Sequence, residues 1–315
     1  MNPWQLGTAF ALDLVFGDPK WLPHPVRVIG RTVRVLEQAL RRQVVPRLGE
    51  RWAGALLTIT VVLSAYGIAY LLIALTAWVH PNLAAAITIY LAFTVLAVRS
   101  LGDEARGVFD RLRGSDLVSA RQWLSRIVGR ETDQLSESGV VRATVETVAE
   151  NTSDGVVAPL FYLVLGGVPL ALAYKAINTL DSMVGYPIPP YREFGWASAR
   201  LDDLANYLPA RITGLLMILG SGLLFGQACP AWKIMRRDGR KHDSPNAGIP
   251  EAAAAGALGI RLGGPSRHSG LVKEKPWLGD SVKDIQADHI LQVIRLMRTV
   301  SFMMLILCLM ALSVF

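Results

Sequence analysis

The sequence has few charged residues and almost no cysteine. Only 18% of its 315 residues are Asp, Glu, Lys or Arg, whereas 52% are hydrophobic. A water-soluble globule carries about a quarter charged residues and a disordered chain carries few apolar ones, so this composition argues against both classes. The two cysteines, Cys229 and Cys308, can build neither a disulfide framework nor a zinc cluster. The composition instead predicts a membrane protein.

Sequence signals of several other classes are also missing. The apolar stretch 4–16 has no basic region before it and no small-residue cleavage site after it, which argues against a signal peptide, and Asp13 within it favours a partial membrane insertion. The chain has no G-x-x-x-x-G-K-[ST] phosphate loop and no H-E-x-x-H metal motif. Any use of a nucleotide must therefore depend on another kind of phosphate-binding site.

Five apolar segments are long enough to reach through or deep into a bilayer, which takes about 20 residues as helix. They are 54–79, 83–98, 156–174, 212–228 and 299–315. These segments predict an all-α, multi-pass protein of the cell (cytoplasmic) membrane, with residues 1–315 forming a single membrane-embedded catalytic domain. The first two segments are joined only by His80, Pro81 and Asn82, which predicts a tight helical hairpin.

The loops between the segments carry the polar motifs and set the topology. They are residues 99–155, 175–211 and 229–298. The net charge of +7 is explained by cytoplasmic loops beside anionic lipid, so we expect no nucleic-acid partner. Loop 175–211 faces outward if 156–174 spans the membrane, and inward if that segment is a re-entrant hairpin broken at Gly166 and Gly167. A helix formed by segment 212–228 can break in the same way at Gly220-Ser221-Gly222.

Two amphipathic stretches are expected to lie as interfacial helices along the membrane surface. The apolar face of the first contains Val33, Leu36, Leu40 and Val44. The apolar face of the second contains Val282, Ile285, Val293 and Met297, with His289 among them.

Glu150, Asn151 and Asp154 form a polar cluster immediately before the third apolar segment. Glu146, Glu150 and Asp154 are spaced four residues apart, which places them on one face of a helix. Carboxylates at a membrane boundary suit Mg²⁺, which prefers hard oxygen ligands. We expect function for Glu150, Asn151 and Asp154, and for Glu146 an ordinary pair with Arg142 on a solvated face.

Lys175, Asn178 and Asp181 follow the third apolar segment without a break. Asn178 and Asp181 lie on one side of a helix, and ionisable residues in an apolar context are costly enough to indicate function. The alternative is a helix end from which Lys175 extends to the lipid headgroups.

The loop of Ser244, Asn246 and Gly248 precedes a helix-forming stretch in which Pro250 suits the first helical position. The bare N–H groups at a helix start attract anions, and Arg261 is near in sequence, so this region predicts a phosphate site. An ordinary capped helix is the alternative.

Two weaker motifs complete the set. Asp202 and Asp203, which follow Arg200, are similar to a generic acidic metal motif, although paired aspartates are common on exposed helices. The other motif, near the start of the chain, consists of Asp13, Asp18, His24 and Arg27. A lone histidine in a proline-flanked turn is more often structural than catalytic.

In this order the clusters resemble the adenosylcobinamide-phosphate synthase family, membrane enzymes that act late in cobalamin biosynthesis. The resemblance covers nearly the whole chain, and five ordered motifs are more specific than any one of them. The motifs are Leu12-Asp13 with Gly17-Asp18-Pro19 and His24-Pro25, Glu150-Asn151-Thr152-Ser153-Asp154-Gly155, Asn178-Thr179-Leu180-Asp181-Ser182, Arg200-Leu201-Asp202-Asp203, and Ser244-Pro245-Asn246-Ala247-Gly248 with Pro250-Glu251-Ala252.

The resemblance implies an ATP-dependent, Mg²⁺-dependent amide-forming reaction. The ring D propionate carboxylate of adenosylcobyric acid, a corrinoid, would be joined to the amine of (R)-1-aminopropan-2-ol or of its O-phosphate, giving adenosylcobinamide or its phosphate. The lipid bilayer and other membrane-associated enzymes of cobalamin assembly are the expected partners. An acyl phosphate and an adenylate are both open as the activated intermediate.

Each polar residue then receives an expected role. Glu150, Asp154 and Asp181 would hold Mg²⁺ as metal ligands, Asn151 and Asn178 would orient phosphate or carboxylate oxygens, and Lys175 would offset the charge that develops during acyl transfer. The residues expected to bind substrate or phosphate are Asp13, Asp18, His24, Arg27, Arg200, Asp202, Asp203, Ser244, Asn246, Gly248, Glu251 and Arg261.

Two other classes compete with this hypothesis. A non-enzymatic membrane sensor, related to a membrane protein of β-lactamase regulation, has no need for five sets of carboxylate and amide residues at membrane boundaries. A transporter with broken helices predicts symmetry between the two halves of the chain, and the sequence has none.

Overall fold

The computed structural model describes residues 1–19, 21–268 and 271–314. It is almost entirely helical, which confirms the all-α class. The helices are α1 Pro3–Phe16, α2 Pro25–Gln43, α3 Val45–Leu48, α4 Glu50–Val79, α5 Pro81–Phe93, α6 Val98–Arg113, α7 Leu117–Leu124, α8 Glu137–Thr152, the π-helix Ser153–Val157, α9 Ala158–Val184, α10 Trp196–Ala205, α11 Tyr207–Phe225, α12 Ala228–Asp238, α13 Gly248–Leu258 and α14 Asp288–Val314. Four short strands, β1 Leu262–Gly263, β2 Ser266–His268, β3 Leu271–Lys273 and β4 Trp277–Leu278, form the antiparallel pairs β1–β4 and β2–β3.

Five helical runs are long and apolar enough to cross a membrane. They are Glu50–Val79, Pro81–Arg113, Glu137–Val184, Tyr207–Phe225 and Asp288–Val314. Each overlaps one predicted segment, so the multi-pass membrane class is confirmed; Phe315, the last residue of segment 299–315, lies outside the described residues. The runs extend into polar sequence because backbone hydrogen bonds continue a helix whatever its side chains are.

The first two runs form the predicted hairpin. α4 and α5 pack against each other. At the turn between them, His80 Nδ1 accepts a hydrogen bond from the backbone N–H of Asn82 at 3.1 Å. The proline at the start of α5 needs no N–H partner, so it starts the second helix at no cost in hydrogen bonds.

The chain forms two compact units, and the single catalytic domain expected from the sequence stays a prediction. The first unit comprises Met1–Ala97, Ala158–Asn206 and Leu305–Phe315, and the second comprises Val98–Val157 and Tyr207–Met304. Each unit therefore combines stretches that are far apart in the sequence.

In the first unit, α2 packs its apolar face against protein, which corrects the prediction of an interfacial helix. Val33 is fully buried among residues of α4 and α9, and Leu36, Leu40 and Val44 pack against the same hydrophobic core. The periodicity is the same whether an apolar face contacts lipid or another helix, so the sequence could not separate the two cases.

α9 folds back on itself at Gly166 and Gly167. Both glycines leave helical geometry, and Gly167 has φ +67° and ψ −164°, a conformation that glycine alone adopts readily. The rings of Tyr162 and Tyr174 stack with centroids 4.9 Å apart. In a straight helix these residues would be separated by about 18 Å along the axis. The third apolar segment is thus broken at the glycines that the re-entrant alternative named, and the side of the membrane that loop 175–211 occupies stays a prediction.

In the second unit, α13 is the central helix. All of its residues, from Gly248 to Leu258, are buried, and it packs against α8, α11 and α12. Glycines permit the close packing: Gly256 lies against the backbone of Ala231 in α12, and Gly214 in α11 lies against Ile249.

α11 is continuous, so the breakable sequence Gly220-Ser221-Gly222 stays helical. Ser221 Oγ donates to the carbonyl oxygen of Ile218 at 2.8 Å, which leaves the hydroxyl satisfied inside the helix. Gly220 lies against Leu296 of α14, so its lack of a side chain serves packing between helices.

The second amphipathic stretch is not a separate interfacial helix. α14 begins at Asp288 and continues without a break to Val314, so Val282 and Ile285 precede it. Val293 and Met297 are buried within the second unit. As in α2, the apolar face is covered by protein.

Candidate functional site

Glu146 of α8 is buried and is bonded to two distant segments of the second unit. Its carboxylate pairs with the guanidinium of Arg130, and the backbone N–H of Gly263 donates to Glu146 Oε1 at 2.6 Å. Arg142 instead stacks on Trp277, with its Cζ 4.8 Å from the ring centroid. The expected solvated pair between Arg142 and Glu146 is therefore wrong.

Glu251, in the first turn of α13, adds a second buried carboxyl and is only 5% exposed. Burial, followed by the neighbouring charges of Glu146 and Glu150, raises the pKa of Glu251 well above its ordinary value. A carboxyl in this state holds its proton to a higher pH than an exposed glutamate does, which is a property of catalytic acids and bases.

Two cations offset part of this negative charge. Lys275 attracts the carboxylates of both Glu150 and Glu251. Burial lowers the pKa of Arg130, but the adjacent Glu146 carboxylate raises it by more, so the guanidinium stays charged. The group therefore combines three carboxyl groups with two fixed positive charges.

His242 completes this group. Its Nδ1 accepts the backbone N–H of Ser244 at 3.0 Å, so the neutral ring carries its proton on Nε2. Burial and the charge of Lys275 lower the pKa of His242, which favours the neutral ring. We call the following set the acid–base cluster: Glu146, Glu150, Glu251, Arg130, Lys275 and His242.

The polar run after Glu150 forms the π-helix Ser153–Val157. Such wide turns are rare and occur frequently at functional sites. Asp154 lies in this turn, so it does not continue the α-helical face of Glu146 and Glu150 as predicted. Ser153 Oγ is buried and has no hydrogen-bond partner in the described part of the chain, whereas Asn151 Nδ2 donates to a backbone carbonyl of α8 at 2.9 Å.

The predicted phosphate loop is hydrogen-bonded within itself, and the N-cap residue of α13, Ala247, has no side-chain cap bond, so the phosphate site stays a prediction. Ser244 Oγ accepts the backbone N–H groups of Asn246 and Ala247, each at 3.2 Å. α13 begins at Gly248, two residues before the proline that was expected to start it. Arg211 of α11 donates to Asn246 Oδ1 at 2.6 Å.

Arg261 does not join this loop, which corrects the prediction of a shared phosphate site. Arg261 follows the C-terminal end of α13, whereas the loop precedes its N-terminal end. The Cζ of Arg261 lies 4.1 Å from the ring centroid of Trp277, and the residue lines a cavity with Arg142 and Lys283. No residue of the 244–248 loop lines that cavity.

In the first unit, α9 carries Lys175, Asn178 and Asp181 in its second half, after the fold-back, and all three are half-buried. The neighbouring hydroxyls of Thr179 and Ser182 donate to carbonyl oxygens four residues earlier, so they are satisfied within the helix. The predicted arrangement of the three residues on a helix that follows the apolar segment is confirmed.

Asp202 and Asp203 have different environments. Asn206 Nδ2 donates to Asp202 Oδ2 at 3.0 Å, and the hydroxyl of Tyr174 donates to Asn206 Oδ1 at 2.8 Å. Asp203 pairs with Arg200 at 3.7 Å, and burial raises the pKa of Asp203. Asp202 is therefore part of a hydrogen-bonded chain that joins α10 to α9.

The N-terminal motif makes local contacts. His24 Nε2 and Asp18 Oδ1 are 3.0 Å apart, and Arg27 donates to the carbonyl oxygen of Pro19 at 3.1 Å. Asp13 is fully buried in α1. These bonds hold the turn between α1 and α2, which favours the structural interpretation of His24.

No group of three His, Cys, Asp or Glu side chains among residues 1–19, 21–268 and 271–314 could hold a metal ion. The Glu146 carboxylate is already bonded to Arg130 and Gly263. The described residues thus do not fit a preformed magnesium site, and the metal-binding role of Glu150, Asp154 and Asp181 stays a prediction.

Sequence reasoning missed Arg130 and Lys275, and it noted His242 before the 244–248 loop without giving it a role. They lie in loops without periodicity, and nothing near them in sequence reveals that they face buried carboxyl groups. Glu251 was expected to bind substrate, and the structure places it in the acid–base cluster. Only the four-residue spacing of Glu146 and Glu150 signalled part of that cluster.

One protein family and several known proteins match this chain over almost its entire length. Residues 6–297 match the family described as CobD/Cbib protein. The chain is 54% identical to the cobalamin biosynthesis protein CobD of Geobacter metallireducens over 290 residues, covering 92% of this chain and 90% of the relative. It is 49% identical to CobD of Klebsiella pneumoniae and 48% identical to CbiB of Salmonella typhimurium, in both cases covering 92% of this chain and 91% of the relative. No solved structure matches the chain.

Proposed function

The chain belongs to the CobD/Cbib family of cobalamin biosynthesis proteins, and we propose that it forms the amide bond of adenosylcobinamide or its phosphate. The substrates are adenosylcobyric acid, (R)-1-aminopropan-2-ol or its O-phosphate, and ATP. The observation that carries the proposal is the acid–base cluster of the second unit, which combines a carboxyl of raised pKa with fixed cations, next to a π-helix.

The reaction needs activation because a carboxylate and an amine do not condense unaided. A carboxylate oxygen attacks a phosphorus atom of ATP, giving either an acyl phosphate and ADP or an acyl adenylate and pyrophosphate. The lone pair of the amine then attacks the acyl carbon, phosphate or AMP leaves with the bonding electrons, and the nitrogen gives up a proton.

The acid–base cluster supplies residues suited to these steps. Glu150 attracts the incoming ammonium group, which loses one proton to solvent before its lone pair attacks. In its ionised form Glu251 accepts the second proton, which the nitrogen loses after the attack, since a carboxyl of raised pKa is a stronger base than an exposed one. Lys275 and Arg130 offset the negative charge that the phosphoryl oxygens acquire. Burial of the cluster limits the access of water to the activated acyl group.

In the first unit, Lys175, Asn178 and Asp181 are proposed to bind oxygen and amide groups of a substrate. Magnesium is expected to arrive with the nucleotide. No step is assigned to it, because no described group of three side chains could hold a metal ion.

The test is an assay of membranes that contain the protein, with adenosylcobyric acid, ATP, Mg²⁺ and the amine in free or phosphorylated form. Mass spectrometry should detect a corrinoid whose mass has increased by that of the amine minus water. A membrane sensor would give no such product, so its absence with both amines would refute the proposal.

Variants test the assigned residues. Asp154→Ala and Asp181→Ala should abolish the product while membrane insertion stays normal. Asp110→Ala is the matched control, since Asp110 is exposed and makes only a long pair of 3.8 Å with Arg106. Near-normal turnover in both Asp154→Ala and Asp181→Ala would show that these two residues lie outside the active site.

A further inference from the structure

A polar cavity of about 270 Å³ lies in the second unit, and its lining includes no residue of the acid–base cluster. Its lining residues are Ser138, Arg142, Arg261, Ser281, Lys283, Asp284 and Ile285. Three of the side chains are cationic and one is a carboxylate. We call this site the arginine cavity.

Two guanidinium groups of the arginine cavity stack on one indole. The Cζ atoms of Arg142 and Arg261 lie 4.8 Å and 4.1 Å from the ring centroid of Trp277. Trp277 pairs with Gly263 in the β1–β4 ladder, which fixes the platform. Stacking holds each guanidinium in place and leaves its N–H edge free to bond. The two like charges repel each other, and the Glu146 carboxylate offsets part of that repulsion at Arg142.

The hydrogen-bonding capacity of these cations is not used within the described part of the chain. Arg142 Nε is buried and has no hydrogen-bond partner there. None of the ion pairs found between described residues includes Arg142, Arg261 or Lys283, although Asp284 lines the same cavity. A buried donor without a partner is costly, so the cavity is suited to a ligand that accepts hydrogen bonds.

The start of α8 adds to the attraction for an anion. Ser138 lies in the first turn of α8, which begins at Glu137. The positive end of the helix dipole favours negative charge, although Ser136 Oγ already accepts the Gly139 N–H and Glu137 places a carboxylate in the same turn. The hydroxyl of Ser281 adds a neutral donor to the cavity lining, whereas the Ser138 hydroxyl is hydrogen-bonded to Ser136 Oγ at 3.0 Å.

We propose that the arginine cavity binds a phosphoryl group, carried by a small soluble phosphate or by an anionic lipid headgroup. Guanidinium groups donate two parallel N–H bonds to phosphate oxygens, and a lysine adds a point charge. Such binding does not require the amide-forming reaction proposed above, because it depends only on Arg142, Arg261 and Lys283.

The first experiment titrates the full-length protein in detergent with inorganic phosphate, using calorimetry and tryptophan fluorescence. Arg261→Gln and Lys283→Gln should each weaken binding by about tenfold, since each removes a charged donor. Arg51→Gln is the matched control: its Cζ lies 3.9 Å from the centroid of Trp196 in the first unit, so it removes a stacked guanidinium far from the cavity in sequence. This control should bind phosphate like the wild type.

A second arm identifies the carrier of the phosphoryl group. Vesicles of phosphatidic acid in phosphatidylcholine are compared with pure phosphatidylcholine, using wild type and Lys283→Gln, a substitution at an exposed side chain. Phosphate binding that the variants lose supports a soluble ligand, and phosphatidic acid binding that Lys283→Gln loses supports a lipid headgroup. Wild-type affinity in both variants, or no binding of either probe by the wild type, would overturn the proposal.

Discussion

At the scale of single residues, the buried carboxylate of Asp238 joins three parts of the second unit. It accepts hydrogen bonds from Arg237 at 2.7 Å and 2.8 Å and from the backbone N–H of Gly279 at 2.8 Å, and Lys241 Nζ lies at 2.7 Å. Burial raises the pKa of Asp238, but these bonds lower it by more, well below its ordinary value.

Asp238→Asn should destabilise the protein by about 1–3 kcal/mol, because the charge-assisted bonds weaken and the amide cannot satisfy all donors. Since the pKa of Asp238 is lower in the folded state, its contribution is complete above pH 4 or so and is lost as the pH falls through the folded-state pKa. Thermal unfolding in detergent at several pH values should show a difference between wild type and variant that disappears in acid. A constant difference would contradict this account.

The contribution of Glu251 to stability has the opposite pH dependence. Its pKa is raised on folding, so its stabilising contribution is complete below the ordinary value and is lost as the pH rises through the folded-state pKa. Glu251→Gln mimics the protonated form. The unfolding midpoint of wild type should therefore fall relative to that of the variant as the pH rises. Because both proteins contain His242, its own titration cancels in the comparison; parallel curves would exclude a raised pKa.

At the scale of elements, the fold-back of α9 requires glycine at position 167 because of its backbone conformation and not because a side chain would lack room there. A Cβ at Gly167 would meet no atom closer than 3.8 Å, but its φ of +67° is unfavourable for any other residue. The hairpin also packs Tyr162 on Tyr174 and gives the hydroxyl of Tyr162 a partner, the carbonyl oxygen of Ala205, at 2.9 Å.

Gly167→Ala should lower the free energy of unfolding by about 1–3 kcal/mol through backbone strain alone. Gly7→Ala is the matched control, because Gly7 lies in the regular helix α1 and a Cβ there meets nothing within 4 Å. This control should be neutral or slightly stabilising. Unfolding midpoints in the same detergent compare the two, and an equal effect of both substitutions would argue against strain at Gly167.

At the scale of the whole molecule, five apolar helical runs make the protein an integral membrane protein. Transferring their side chains and backbone to water would be far more costly than breaking surface ion pairs. The protein should therefore stay in the membrane pellet after washes with alkaline carbonate and with concentrated salt, and be released by detergent. Immunoblots of pellet and supernatant measure this, and release by salt would indicate peripheral attachment instead.

Whole-molecule organisation could be predicted only in part. The apolar segments, the α4–α5 hairpin and the order of the polar motifs were visible because each depends on a short stretch of sequence. The division into two units was not, because each unit is assembled from separate stretches. The same limit applies to the apolar face of α2, whose partner the periodicity cannot identify.

The amino-acid sequence by itself determined the helical membrane class and the resemblance to a family, since both depend on local composition and ordered motifs. Tertiary structure alone decided that Glu146 binds Arg130, that Glu251 is a buried carboxyl, and that Arg261 lies on Trp277 instead of beside Ser244. The physical reason is that burial and charge pairing arise from residues distant in the chain, and these set the pKa values and free donors on which chemistry depends.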